Sequence, residues 1–262
     1  MNMFTGSGKA SARSLLVSFE NRLFHQVKGN YPMNWDEDFI TRSVLNQMKS
    51  LFHRKRFRLP GNLLRTRWQQ YRLAQDIDTP VADFALLFSI LYHDGFLLEG
   101  AAFVMARAKD PDKNTFSGLR KDHLKKMHSV APSSQLLLYD YDAVTGMAFP
   151  SVPDAIRGAY PHTWDNWVPY SHAAVIPSST ALALGSKTTA LYKASLPLSY
   201  QLCFRWFFGL DLDFGNPAMD VARGKREDRG LAKYLVCVSV SHGGGEPVEE
   251  FSVNRDLYTE TV

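Results

Sequence analysis

"GAAFVMARAKD", residues 100–110, is small or apolar for most of its length and then ends in charge. Strand side chains alternate between faces, so Met105, Arg107 and Lys109 project together at the end of such a run. Just upstream, VADFALLFSILY (81–92) is a second apolar, β-compatible stretch, and His93-Asp94-Gly95 supplies a turn between the two. Residues 81–109 are therefore read as a β-hairpin buried on at least one face.

The flanks extend this reading. Residues 11–29 place Leu15, Leu16, Phe19, Leu23 and Val27 at helical spacing, with Gly29 as the stop. A second helix starts at Asn34, which caps it with Glu37 three residues on, and runs to Phe52. A short helix is expected around Leu63–Ala74. Beyond the hairpin come a polar loop (DPDKN, 110–114), an amphipathic helix over 115–130 and a strand over 135–142. Residues 143–185 are rich in Pro, Ser and aromatics, and YPHTWDNWVPY (160–170) reads as irregular chain ordered by its rings. Residues 196–209 read as a buried helix, 216–224 as a short one with Pro217 in its first turn, and 233–243 as a closing core strand. The expected fold is α/β, a mixed central sheet flanked by helices. Residues 1–142 form its core and 143–262 a C-terminal elaboration packed on that core.

With 262 residues, 45% of them hydrophobic, the chain can fill a sizeable core. No run of about 18 apolar residues occurs and the N-terminus lacks a signal-peptide pattern, so a cytoplasmic protein with no membrane partner is expected. Cys203 and Cys237 sit in apolar runs and read as buried thiols; two cysteines are too few for a Cys-based zinc site. His93, His123, His128, His162 and His172 lack metal-ligand spacing, and no metal site is expected from them. TGSGKAS (5–11) fails as a phosphate loop, because Ala10 stands where Ser or Thr should ligate magnesium. Asp211 and Asp213 are acids past a glycine, read as loop solvation and local hydrogen bonds in preference to a cation site.

The net charge of +4 is uneven. Lys49, Arg54, Lys55, Arg56, Arg58, Arg65, Arg67 and Arg72 follow one another without an acid, interleaved with Phe52, Phe57, Trp68 and Tyr71. Such a segment suits a phosphate-binding stripe, and equally a solvated surface over buried aromatics. Lys121, Lys125 and Lys126 add a second strip on the 115–130 helix.

Helix, strand with an early Asp, turn, second strand, basic helix, strand: this order resembles the PD-(D/E)XK restriction-endonuclease-like superfamily over roughly residues 34–142. The resemblance rests on PVADFALLF (80–88) and GAAFVMARAKD. It implies a first-strand Asp and a second-strand acid ligating magnesium, a Lys two residues further on beside the attacking water, and often a further carboxylate from the preceding helix. Hydrolysis of a phosphodiester needs hydroxide and relief of developing negative charge, which a caged divalent ion provides. Asp83 matches the first acid, and Glu37 or Asp38 the helical one. The second strand departs from the pattern: one register puts Met105 and Arg107 in the Glu and Lys slots, the other puts Arg107 and Lys109 there, and neither supplies an acid. Glu99 lies about 20 Å from Met105 along an extended strand, out of reach of a shared ion.

A permanent guanidinium at Arg107 opposes a metal and can pair with Asp83. The resemblance then implies a pseudo-nuclease with a remnant site (Asp83, Met105, Arg107, Lys109, Glu37, Asp38) and no cofactor. Its expected partners are nucleic acid, DNA first, and the other subunits of an antiviral-defence or DNA-processing complex. Arg54, Lys55, Arg56, Arg58, Arg65, Arg67, Lys121, Lys125 and Lys126 would meet phosphates. Two rivals stay open: an active magnesium-dependent endonuclease using Asp83, Glu37 or Asp38 and Lys109, and a purely protein-binding adaptor contacting partners through 160–170.

Overall fold

The computed structural model describes residues 12–59, 61–74, 80–147, 170–226, 230–248 and 251–261. TGSGKAS, His162 and most of the aromatic segment 160–170 lie outside the described residues.

The fold is α/β, built on a mixed sheet with nine strands among the described residues. In chain order they are β1 (Lys55–Leu59), β2 (Asn62–Leu73), β3 (Ala82–Leu91), β4 (Leu97–Ala108), β5 (Gln135–Val144), β6 (Ser171–Pro177), β7 (Leu196–Pro197), β8 (Ala232–His242) and β9 (Tyr258–Glu260). Across the sheet the order is β1-β2-β8-β3-β4-β5-β6-β7, with β9 alongside β2. The hairpin read from the sequence is β3–β4, antiparallel from Phe84↔Val104 to Leu91↔Leu97, near the middle of the sheet. Two pairings are parallel, β3 with β8 and β4 with β5.

Both faces of the central strands are buried, which is why they read as near-continuous apolar runs. Phe84, Leu86, Phe88 and Ile90 of β3 join one core with α1 (Ala12–Val27), α2 (Glu37–Phe52) and the helical segment 198–208. Ala85 and Leu87 join the other with α3 (Lys121–Val130), α4 (Ser178–Leu184) and α5 (Asn216–Ala222). Cys203 and Cys237 are buried free thiols in the first and second core respectively. Among the described residues no helix is long and apolar enough to cross a membrane.

The expected helix at 63–74 is instead strand β2. Leu64, Trp68 and Tyr71 fit helical spacing, but Leu64, Thr66, Trp68 and Gln70 also alternate and all four are buried, with Tyr71 and Leu73 buried in the second core. A tight turn joining Leu59 to its partner Asn62 starts the hairpin, with Gly61 at φ 77°. The cap of α2 is Asp36, whose carboxylate accepts from Phe39 N at 2.8 Å, not Asn34. Residues 115–120 are loop and not helix: Gly118 has φ 62°, and α3 begins only at Lys121. Regular structure also occurs within 143–185, as β6 and α4. The C-terminal half contributes to the sheet's centre, since β8 lies between β2 and β3.

Candidate functional site

Asp83, Met105, Arg107 and Lys109 share the second face of the sheet, at the C-terminal end of β4. Alternation puts Met105 in the second core, 3% exposed, where it packs and carries no chemistry. Two residues on, Arg107 is the hub. Its Nη1 donates to Asp83 Oδ2 at 3.1 Å and to Glu37 Oε1 at 2.8 Å, and its Nε donates to Gly118 O at 3.2 Å. Nη1 also meets the carbonyl of Ala106. Asp83 Oδ2 further accepts from Ala106 N at 2.7 Å, and Glu37 Oε2 from Ala108 N at 3.3 Å. Glu37 arrives from the first turn of α2, which crosses the strand ends. Of the two candidate helical acids it is therefore Glu37 that completes the group, while Asp38 binds Lys233 Nζ at 2.8 Å and Tyr234 Oη at 3.1 Å.

Two acids share one guanidinium nitrogen, and both are taken largely out of water. Burial raises the Glu37 carboxyl to about 7; Arg107 opposes that rise and Asp83 adds to it. Burial also raises Asp83, against the pull of Arg107 and the Ala106 amide.

A magnesium ion does not fit this arrangement. Hard cations sit about 2.0–2.6 Å from their oxygens, and Arg107 Nη1 already occupies the gap between the two carboxylates. Among the described residues no group of three or more His, Cys, Asp or Glu converges on a point that could hold a metal.

Lys109 does not join Asp83. Its Nζ lies 3.1 Å from both Asp140 Oδ1 and Asp142 Oδ2 on β5, and 4.5 Å from the centre of the Tyr141 ring. Asp140 also accepts from Tyr192 Oη and Asp142 N, each at 2.8 Å, and its carbonyl accepts from His172 Nδ1 at 2.9 Å. Trp35 Nε1 donates to Lys109 O at 2.7 Å. Burial alone would lower the ammonium pKa, yet its hydrogen bonds to Asp140 and Asp142 leave it raised. Burial lowers His172, favouring its neutral form. Sequence reasoning missed Asp140, Asp142 and Tyr192. The signal was the alternating acids in QLLLYDYDA, but only the parallel register Ala108↔Tyr139 brings them beside Lys109.

The basic segment is not one surface. Arg54, Lys55, Arg56 and Arg58 are exposed, whereas Arg65 is paired with Glu246 and Arg67 is half-buried. Arg56 aligns through Arg65, Ser241 and Leu91 with Leu97, ten residues before Arg107. At roughly 3.3 Å per residue, that places the hairpin cations about 30 Å from Arg107 along the strands. Lys121, Lys125 and Lys126 are exposed on α3, whose start adjoins the Gly118 peptide that Arg107 holds. The pair Asp211 and Asp213 is spent internally: Asp211 pairs with Arg205, and Asp213 accepts from Ser133 N at 3.1 Å.

Comparison with protein-family models, curated proteins and solved structures gives no match for this chain.

Proposed function

We propose that this chain binds nucleic acid, DNA in the first instance, without hydrolysing it, as a pseudo-nuclease subunit of a larger DNA-processing or antiviral-defence assembly. The observation that carries the reading is Arg107 Nη1 between Asp83 and Glu37, the two acids that the PD-(D/E)XK resemblance implies for a cation. Support also comes from Lys109, because a rebuilt hydrolytic site would need that ammonium beside Asp83 and it is held by Asp140 and Asp142. Lys121, Lys125 and Lys126 are the phosphate contacts nearest this centre, and Arg54, Lys55, Arg56 and Arg58 form a separate, distant strip. The adaptor alternative is favoured by one observation, the exposed Phe96, Leu97, Leu210 and Phe214 at the β3–β4 turn and the 210–214 segment.

The test is incubation of the purified protein with plasmid and short duplexes in Mg²⁺, Mn²⁺ or EDTA, beside binding titrations at two salt concentrations. Salt-weakened binding without cutting is expected. Metal-dependent cutting that Asp83→Ala abolishes would establish the endonuclease, and absent or salt-insensitive binding would leave the adaptor.

A further inference from the structure

Between β4 and α3 the chain makes a loop that is pinned at several points. Phe116 and Leu119 are buried, Phe116 N donates to Lys187 O at 2.8 Å, and Thr115 forms a bridge with Thr188. The pinned loop and Lys187 border an open pocket of about 400 Å³, within the usual range for small-ligand sites. Phe116 and Leu119 make much of its lining apolar, and its charge is of one sign. Arg120 and Lys187 contribute positive charge, Thr115 and Ser117 contribute hydroxyls, and no acid lines it. Both cations are exposed, and among the described residues neither is in an ion pair.

The cavity also adjoins the centre described above. One of its walls is Gly118, whose carbonyl accepts from Arg107 Nε at 3.2 Å. A side chain at Gly118 would put its Cβ 3.6 Å from that nitrogen. Nε therefore faces the loop while Nη1 faces Asp83 and Glu37, so the guanidinium stands between the cavity and the two carboxylates. An anion in the cavity would meet Arg120 and Lys187 first and be shielded from the acids by Arg107.

We propose that this cavity binds one phosphate ester group, with Arg120 and Lys187 as its charge partners and Thr115 and Ser117 as hydroxyl donors. A space of this size suits a single nucleotide and not a duplex. The phosphate has two possible sources, the end of a nucleic-acid strand or a free nucleotide; the first rests on the nucleic-acid reading above, and the second does not.

The experiment measures binding of a labelled single-stranded oligonucleotide with a terminal phosphate and of the same strand with hydroxyl ends. A nucleoside monophosphate is titrated separately by calorimetry. Each ligand is tested against the wild type, Arg120→Glu and Lys187→Glu, with circular dichroism confirming that each variant is folded. Roughly tenfold tighter binding of the phosphorylated strand is expected, lost in both variants. Equal binding of the two strands, unchanged by either substitution, overturns the cavity proposal and leaves nucleic-acid binding standing. Monophosphate binding that both variants lose, with no strand binding at all, supports the cavity and overturns the nucleic-acid reading. Binding of none of these ligands overturns both.

Discussion

Arg107 and Lys109 project to the same face at the end of β4, and each meets two carboxylates with one positive charge, yet the two clusters differ. Lys109 brings a compact ammonium with several donors to Asp140 and Asp142, and Asp140 gains further donors from Tyr192 and the Asp142 amide. Arg107 offers a single nitrogen to both Asp83 and Glu37, because its Nε is spent on Gly118. Burial raises Glu37 and Asp83 against the pull of Arg107, while the hydrogen bonds to Asp140 and Asp142 hold Lys109 charged. The lesson is that a clamp and a site can be built from the same residue types. Each cluster sets one positive charge against two carboxylates, but the clamp leaves one of them, Asp142, largely in water, whereas Asp83 and Glu37 both lie at a part-buried guanidinium.

The largest expected effect falls on the clamp. Lys109→Met strands Asp140, whose side chain is 4% exposed, and should cost about 3–5 kcal/mol in denaturant unfolding. Arg107→Met should cost less, about 1–3 kcal/mol at pH 8, and less still at pH 5, because Glu37 and Asp83 can take up protons once the cation is gone. If Arg107→Met proves the costlier change, the contrast between clamp and site is broken.

A third prediction concerns Glu37 alone. Its folded pKa of about 7 exceeds the ordinary 4.5, so the native state holds a proton that the unfolded chain has lost. That contribution is fully present below about pH 4.5 and declines as pH rises towards 7. Glu20, also raised to about 7 by burial, acts in the same direction. Glu37→Gln should therefore flatten part of the fall in melting temperature between these pH values, and an unchanged slope would show that Glu37 is ordinary. The smallest effect is expected at Asp142→Ala, about 0–1 kcal/mol, since the Asp142 side chain is 64% exposed.

What was legible in the sequence follows the range of the forces involved. The β3–β4 hairpin could be read because its apolar alternation is local, and Asp83 and Arg107 meet because a hairpin fixes which residues face each other. Glu37 over Asp38 depended on where α2 begins, which Asp36 decides through a cap the sequence reading placed two residues early. Residues 63–74 were ambiguous because their apolar positions satisfy both periods, and pairing with β8 and β9 settles them as strand. Nothing within residues 232–242 says that they slot between β2 and β3. Lys109 was assigned to the wrong acids for the same reason: its partners are set by the register of a parallel pair joined through α3.

The central claim is that Arg107 occupies the cation position between Asp83 and Glu37. A crystal structure of the protein soaked in manganese, with anomalous data, tests it most directly. The account predicts the Arg107 guanidinium within salt-bridge distance of both carboxylates and no anomalous peak between them. A manganese ion ligated by Asp83 and Glu37, with Arg107 displaced, would contradict it.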